Sequence, residues 1–360
     1  VFFYKHGLEF SGLKRAPPRL EDGEAVSPWD ELPQALGAAN RLRLERVNPM
    51  KAFGRFFKDI NRNKALLLMV LPASIWFIFF SYLPMLGTVI SFKEYRVHGG
   101  FLSSIIHSRW VGFDNFKFLF STNDAYIITR NTLLYNIVFI IIGLVLAVAM
   151  AIVLSEIANK RLAKWFQTGM FMPYFLSWVI VGYFAYSFLS YDRGVMNKIV
   201  LAFGMDPQQW YSEPKYWPFI IVIVFLWKSL GYNSVVYLAA IMGIDKSLYE
   251  AAMIDGANKW QQIRNVTLPM LTPLMTILTL LAIGRIFYAD FGLFYQVTRD
   301  SGTLYNVTNV IDTYVYRGLK TTGEIGMSTA AGLYQSFVGF VLVITSNWIV
   351  RRFNKDNALF

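Results

Sequence analysis

Lys228 and Arg285 each interrupt a long apolar run. Counting 1.5 Å per residue along helical runs puts Lys228 about 18 Å in from one end and Arg285 about 22 Å in from the start of its own run, near the middle of a membrane-sized span. A charge at that depth costs at least a few kcal/mol unless it meets water or a partner, so a functional role is the first expectation. The alternative is a structural pair with Asp290 or with a backbone carbonyl. Tyr232 follows Lys228 by four positions and Tyr288 follows Arg285 by three, which places each ring on its cation's face of a helix. Asn233 and Tyr237 form a second polar face one step round. Aromatic rings suit the apolar side of a sugar, and amide and hydroxyl groups suit its hydroxyls. The two cations would offset the carboxylates of an acidic oligosaccharide such as a uronic-acid oligomer, and a neutral oligosaccharide fits the set equally well. Tyr and Phe are abundant throughout, so packing is the default for any single ring.

Other chemistries lack their residues. Histidine occurs only as His6, His98 and His107, none at metal-ligand spacing with an acidic residue, and cysteine is absent. No metal site and no catalytic residue is expected. No G-x-x-x-x-G-K-[ST] segment is present to cradle nucleotide phosphates. Asp290 and Glu156 fall near the ends of apolar runs, which leaves no mid-depth carboxylate for a coupling ion. An ion-coupled secondary sugar carrier is the weaker alternative for that reason, and a membrane-bound enzyme would need an acid/base constellation that is not found.

Hydrophobic residues make up 55% of the 360 residues and charged residues 16%, a balance that places the chain in the membrane class. Six runs approach the roughly 20 residues that cross a bilayer as helix, near 65–90, 132–154, 167–190, 217–242, 270–296 and 328–350. The expected fold is therefore an all-α integral membrane protein with six transmembrane helices over residues 65–350. With the amino terminus in the cytoplasm, most of the 34 Lys and Arg fall on the cytoplasmic side. Both termini are then cytoplasmic, including a tail over 351–360. The five basic residues between 91 and 131 run against this orientation. The net charge of +11 is explained by anionic lipid and topogenesis, without nucleic acid. Residues 1–46 show no sustained period and read as a poorly ordered cytoplasmic extension. Met50 is a candidate natural start, and the first span is expected to act as its own anchor. Over 47–64, Phe53, Phe56, Phe57 and Ile60 share one face against Lys51, Arg55, Lys58 and Arg62, the pattern of an interfacial helix. Trp210, Tyr211, Tyr216 and Trp217 cluster where the chain re-enters the membrane and are expected to anchor it at the headgroups. In the last run, Gly332, Ser336 and Gly339 offer a small-residue face and Gln335 a polar contact, expected to pack against a second membrane subunit.

Between the fourth and fifth runs, residues 246–269 are polar yet patterned. Tyr249, Ala252, Met253 and Gly256 recur at helical spacing, Gly256 permits the positive φ that ends a helix, and Trp260, Ile263 and Val266 restart the period before Leu268-Pro269 stops it. Two short helices joined by a tight turn are expected on one membrane face.

Glu250-Ala251-Ala252, Gly256, Val266 and Leu268-Pro269 together resemble the EAA loop of the membrane subunits of bacterial binding-protein-dependent ABC importers, and Asp255-Gly256-Ala257 is similar to the form in the sugar-importing branch. Val266 stands where the family often has Ile. Pro84-Met85, the segment Trp110 to Phe116, Asn131-Thr132 and the segment Arg285 to Gln296 look like the polysaccharide-permease subgroup, related to the maltose and glycerol-phosphate permeases. The resemblance covers most of residues 60–355. It implies a type I importer permease fold in the bacterial inner membrane, carrying oligosaccharides delivered by an extracytoplasmic solute-binding protein. It also implies a second, homologous permease subunit and two cytoplasmic ATPases that hold the ATP and Mg, with no cofactor on this chain. Carried over to this chain, the resemblance gives Glu250 a charged contact with the ATPase, Ala251 and Ala252 close approach, and Gly256 the hairpin angle, with Asp255, Ala257, Leu268 and Pro269 in the same coupling segment.

Overall fold

In the computed structural model, residues 62–117, 121, 123–321, 323–353 and 358 are described. The extension expected over 1–46, nearly all of the interfacial helix expected over 47–64 and most of the tail lie outside them. The chain divides into two compact units, Val1–Phe79 and Phe80–Phe360. In the first, helix α1 (Lys64–Phe77) carries no charge after Lys64 and tolerates Pro72 in its interior, as apolar membrane helices do.

Among the described residues, five helical stretches are long and apolar enough to cross a membrane: Lys64–Phe92, Asn123–Glu156, Pro214–Met242, Lys259–Ile283 and Ile325–Arg352. A sixth arises if the pair Lys160–Phe175 and Trp178–Leu189, bent by 101°, forms one span. These match the six runs expected, with two changes in form.

Early in the second unit comes a 3-10 segment, Leu83–Phe92. Strand β1 (Lys93–Glu94), helix α2 (Phe101–His107) and strand β2 (Arg109–Trp110) follow, with Lys93 opposite Trp110 in antiparallel register. This short pairing is the one departure from all-α among the described residues, and Asn115 ties it down by donating to the Ser91 and Lys93 carbonyls at 3.0 and 2.9 Å. The long helix α3 (Asn123–Glu156) leads into α4 (Lys160–Phe171), α5 (Trp178–Leu189) and α6 (Val195–Ala202). Helix α7 (Trp217–Met242) lies along α3, with Phe139 and Phe225 stacked at 3.8 Å. Next come α8 (Lys246–Ile254), α9 (Lys259–Gln262), α10 (Leu268–Ile283), α11 (Tyr305–Thr308), α12 (Ile311–Thr321) and α13 (Ile325–Phe353).

The core runs along the α3–α7 seam. Tyr135, Phe139, Val181, Trp217, Ile221, Leu293 and Phe294 cluster toward one end, while Ala147, Ala151, Tyr237, Ile241 and Leu271 cluster toward the other. Much of the remaining apolar surface faces outward, including Leu134, Phe219, Ile223 and Phe337, as lipid-facing helices require.

The third expected span, 167–190, is not one straight helix. Pro173 sits in the 3-10 turn Met172–Phe175 that follows α4, and Ser177 caps α5 by accepting from the Ile180 N–H at 3.4 Å, so the chain changes direction between them. The fifth, expected over 270–296, stops at Ile283, and residues 284–290 leave the helix before it resumes at 291 and runs into a π turn at Leu293–Val297. Side chains from other elements satisfy the freed backbone: Asn136 donates to the Ile286 and Tyr288 carbonyls at 2.9 and 3.2 Å, and Gln335 to the Phe287 carbonyl at 2.6 Å. Asp312 accepts from the Ala289 N–H at 2.7 Å. Irregular backbone inside a membrane protein needs such internal partners because lipid offers none.

The face expected on the last run to meet a second subunit is partly used within the chain. A Cβ at Gly339 would lie 2.5 Å from the Gly284 carbonyl oxygen, so α13 and the end of α10 touch there, whereas Gly332 has open space around it. Gln335 is spent on the Phe287 carbonyl for the same reason.

Candidate functional site

The break after α10 opens on a cavity of about 630 Å³, lined by residues of α3, α7 and α10 and of the break itself. Six residues expected in the substrate pathway line it: Tyr232, Asn233, Tyr237, Arg285, Tyr288 and Asp290. Helix periodicity brings the first three to one side of α7, and the loss of helix after Ile283 turns the last three toward them. Arg285 and Tyr288 also border a second cavity of about 720 Å³ with Ser336, Gly339 and Phe340. Tyr288 is held by a 2.7 Å hydrogen bond to the Ser336 hydroxyl. The exposed Arg285 guanidinium has no ion-pair or hydrogen-bond partner among the described residues. Tyr237, only 4% exposed, belongs largely to the core.

Lys228 stands apart from this lining. Its Nζ donates to the Tyr174 carbonyl at 2.7 Å, at the bend between α4 and α5. It also lies 5.5 and 5.1 Å from the ring centroids of Tyr174 and Trp178. The carbonyl alternative considered from sequence is thus what Lys228 adopts. Its partner ring is Tyr174, on which Tyr232 stacks at 4.5 Å, so cation and tyrosine meet through a third residue. Trp178 in turn donates its indole N–H to Asp290 at 2.9 Å, and Asp290 accepts from the Leu293 N–H at 3.2 Å. Asp290 therefore fixes the geometry of the break as well as bordering the cavity. Asn136, Tyr174, Trp178 and Asp312 were absent from the sequence expectation. Asn136 in the middle of an apolar run was a visible signal; the other three required the fold.

The second site is the hairpin. Asp245 caps α8, accepting from the Ser247 N–H at 3.0 Å, and that bond holds its carboxyl below the usual carboxylate range. At the far end Gly256 has φ of +78°, with the Ala257 N–H donating to the Ala252 carbonyl at 2.9 Å and the Gly256 N–H to Met253 at 3.0 Å. That is a Schellman closure, which favours glycine. Asn258 and Gln261 then form a capping box that opens α9. Leu268-Pro269 behaves differently from the expectation: it opens α10 instead of stopping a helix. The chain runs through a π turn at Ile263–Thr267, and Pro269 sits in the first turn of α10, where a missing N–H is tolerated.

The hairpin is anchored on its inner side and bare on the other. Tyr249 bonds Thr267 at 3.0 Å, Gln262 donates to the Ala257 carbonyl at 3.1 Å, and Lys259 pairs with Glu156 at the end of α3 at 3.0 Å. Glu250, Ala251, Asp255 and Pro269 are exposed, Ala252, Ala257 and Leu268 half-buried. Ile254 is 87% and Trp260 70% exposed. These two side chains leave apolar surface bare at the tip of an otherwise polar hairpin.

A multi-span helical membrane protein with a broken-helix cavity and such a hairpin has the form of a transporter's membrane subunit. The chain belongs to the family described as binding-protein-dependent transport system inner membrane component, which it matches over residues 139–355. It is 32% identical over 297 residues to protein LplB of Bacillus subtilis (strain 168), covering 82% of this chain and 92% of that protein. It is also 32% identical to the polygalacturonan/rhamnogalacturonan transport system permease protein YteP of the same organism, over 84% of this chain and 92% of that one. Among solved structures, it resembles a chain of a bacterial alginate ABC transporter in complex with alginate pentasaccharide-bound periplasmic protein. The TM-score is 0.75 and the identity 34%, covering 84% of this chain and 99% of the other. The chain is therefore a translocation subunit of an ABC importer with the permease fold, and neither an enzyme nor an ion-coupled secondary carrier.

Proposed function

We propose that this chain forms half of the translocation pathway for acidic oligosaccharides, carried inward from a solute-binding protein. The observation that carries the reading is Arg285, a guanidinium without a protein partner among the described residues, facing a cavity walled by Tyr232, Tyr288 and Asn233. A free guanidinium binds a carboxylate through paired N–H groups, and tyrosine rings pack on sugar faces. The similarity to a permease named for polygalacturonan and to an importer of the acidic polysaccharide alginate supports the same cargo class.

Two cytoplasmic ATPases, holding ATP and Mg, drive the cycle through the hairpin; a second, homologous permease subunit completes the pathway. In this reading Glu250 and Asp255 supply charged contacts, Ala251, Ala252 and Ala257 let the ATPase approach, and Gly256 sets the angle. Leu268-Pro269 joins the hairpin to α10, which carries its movement to the Arg285 break. The hairpin and both termini lie in the cytoplasm.

The test is uptake into proteoliposomes holding the assembled transporter and its binding protein. Arg285→Gln should reduce trigalacturonate uptake about ten-fold or more, the scale of one charge-assisted pair, and reduce galactotriose uptake far less. Equal losses for both sugars would remove the acidic-cargo reading.

A further inference from the structure

A third cavity, with saccharide-binding chemistry, lies at the opposite end of α7 from the hairpin. It measures about 510 Å³, within the size range of small-molecule sites, and is formed where the end of α5 meets the 209–212 segment and the turn at Arg299. Tyr186 of α5 carries the Arg299 guanidinium at 4.1 Å from its ring centroid, and Tyr211 stands 5.8 Å from Tyr186. Ser190 and Gln209 add hydroxyl and amide groups to the wall.

The walls are set in advance. The Trp210 indole donates to Asn197 at 2.9 Å, and the Tyr211 hydroxyl to the Val297 carbonyl at 3.2 Å. Arg299 and Asp300 have φ of +55° and +50°, a left-handed region that non-glycine residues seldom occupy and that recurs at ligand sites. The same turn separates the two charges. The Asp300 carboxylate is taken by Arg317 at 2.6 Å and by the Tyr305 hydroxyl at 3.2 Å, so it does not neutralise Arg299. Among the described residues no carboxylate pairs with Arg299. Headgroup anchoring accounts for aromatic rings at a membrane face, but not for an unpaired guanidinium lying on a ring within a concave, hydrogen-bonded wall.

We infer that this cavity is a receiving subsite for one carboxylate-bearing sugar residue of the cargo, with Arg299 binding the carboxylate and Tyr186 and Tyr211 packing on the ring. The assignment rests on the acidic-cargo reading and on the cytoplasmic hairpin proposed with it, which puts this end of α7 on the outer face. A chain released by the binding protein would be held here by one residue before the rest enters the deeper cavity.

Photolabelling tests it in the assembled transporter, in phosphatidylcholine nanodiscs without the binding protein, using trigalacturonate with a diazirine at its reducing end. Labelled peptides should include 186–191 or 209–212. Unlabelled trigalacturonate should compete at least about ten-fold better than galactotriose, as expected when a carboxylate contact dominates. Arg299→Gln and Tyr186→Leu should each cut that labelling about five-fold or more, with partial recovery in Arg299→Lys. Labelling indifferent to Arg299→Gln, or competed equally by galactotriose, overturns the subsite. Labelling displaced by added phosphatidylglycerol but not by unlabelled trigalacturonate overturns it too, in favour of a lipid headgroup site. Labelling confined to 278–290 sinks the outer subsite and leaves the cavity reading intact; labelling confined to the outer peptides does the reverse.

Discussion

Arg285 and Lys228 are the same kind of residue in sequence and different kinds in the fold. Lys228 is satisfied by the Tyr174 carbonyl and two rings, and Arg285 faces two cavities without a partner among the described residues. Lys228→Met should therefore act mainly on stability, leaving the Tyr174 carbonyl at the bend without its donor, while Arg285→Gln acts on cargo. Thermal unfolding of the purified transporter beside uptake separates the two effects. The glycines of α13 give a cleaner contrast. Gly339→Ala forces a methyl against the Gly284 carbonyl and should destabilise by about 1–3 kcal/mol. Gly332→Ala meets nothing and should be close to neutral. Comparable loss of thermal stability in both would contradict the close approach of α13 to α10. Helical spacing puts Tyr288 beside Arg285, but both lie beyond the end of α10 at Ile283, so it is the break and not a helix face that brings them to one cavity. Spacing could not show that Lys228 is spoken for, since its partner lies 54 positions away.

At the scale of elements, the apolar runs located the spans because burial in lipid demands about twenty apolar residues whatever the packing. The breaks in the third and fifth spans were less legible. Ile286, Phe287 and Ala289 keep the fifth run apolar through its non-helical stretch, and the polar groups that make this stretch tolerable come from α3, α12 and α13. Pro173 and Gly284 were the local hints. Asn136→Leu should cost about 1–3 kcal/mol by leaving the Ile286 and Tyr288 carbonyls unpaired. It should also lower uptake of every cargo alike, because it disturbs the break and not the charge. A selective loss of acidic cargo in that variant would mean that Asn136 binds substrate instead. The hairpin was the most legible element, since its turn needs glycine at positive φ, whereas the caps at Asp245 and at Asn258 with Gln261 emerged only in the fold. The ion pair from Lys259 to Glu156 was not legible, being a contact between distant segments. Both partners are largely exposed, so Lys259→Ala should change stability by less than about 1 kcal/mol.

For the whole molecule, the hairpin and the cavity are joined by one continuous helical stretch, Lys259–Ile283, which begins at the turn after Gly256 and ends at the break that carries Arg285. A push on the hairpin can thus reach the cavity without crossing a flexible joint, the kind of rigid element through which coupling between distant sites travels. The central claim is that ATP hydrolysis on a partner moves cargo through this hairpin. Gly256→Val tests it most directly, because β-branching opposes φ of +78° while open space surrounds the position and no core contact is lost. ATP hydrolysis and oligosaccharide uptake should be measured together in proteoliposomes. The account predicts that the variant assembles in the membrane and hydrolyses ATP, while uptake per ATP falls about ten-fold or more, the range of a lost coupling free energy of one to two kcal/mol. Uptake per ATP equal to that of the unaltered transporter would contradict it.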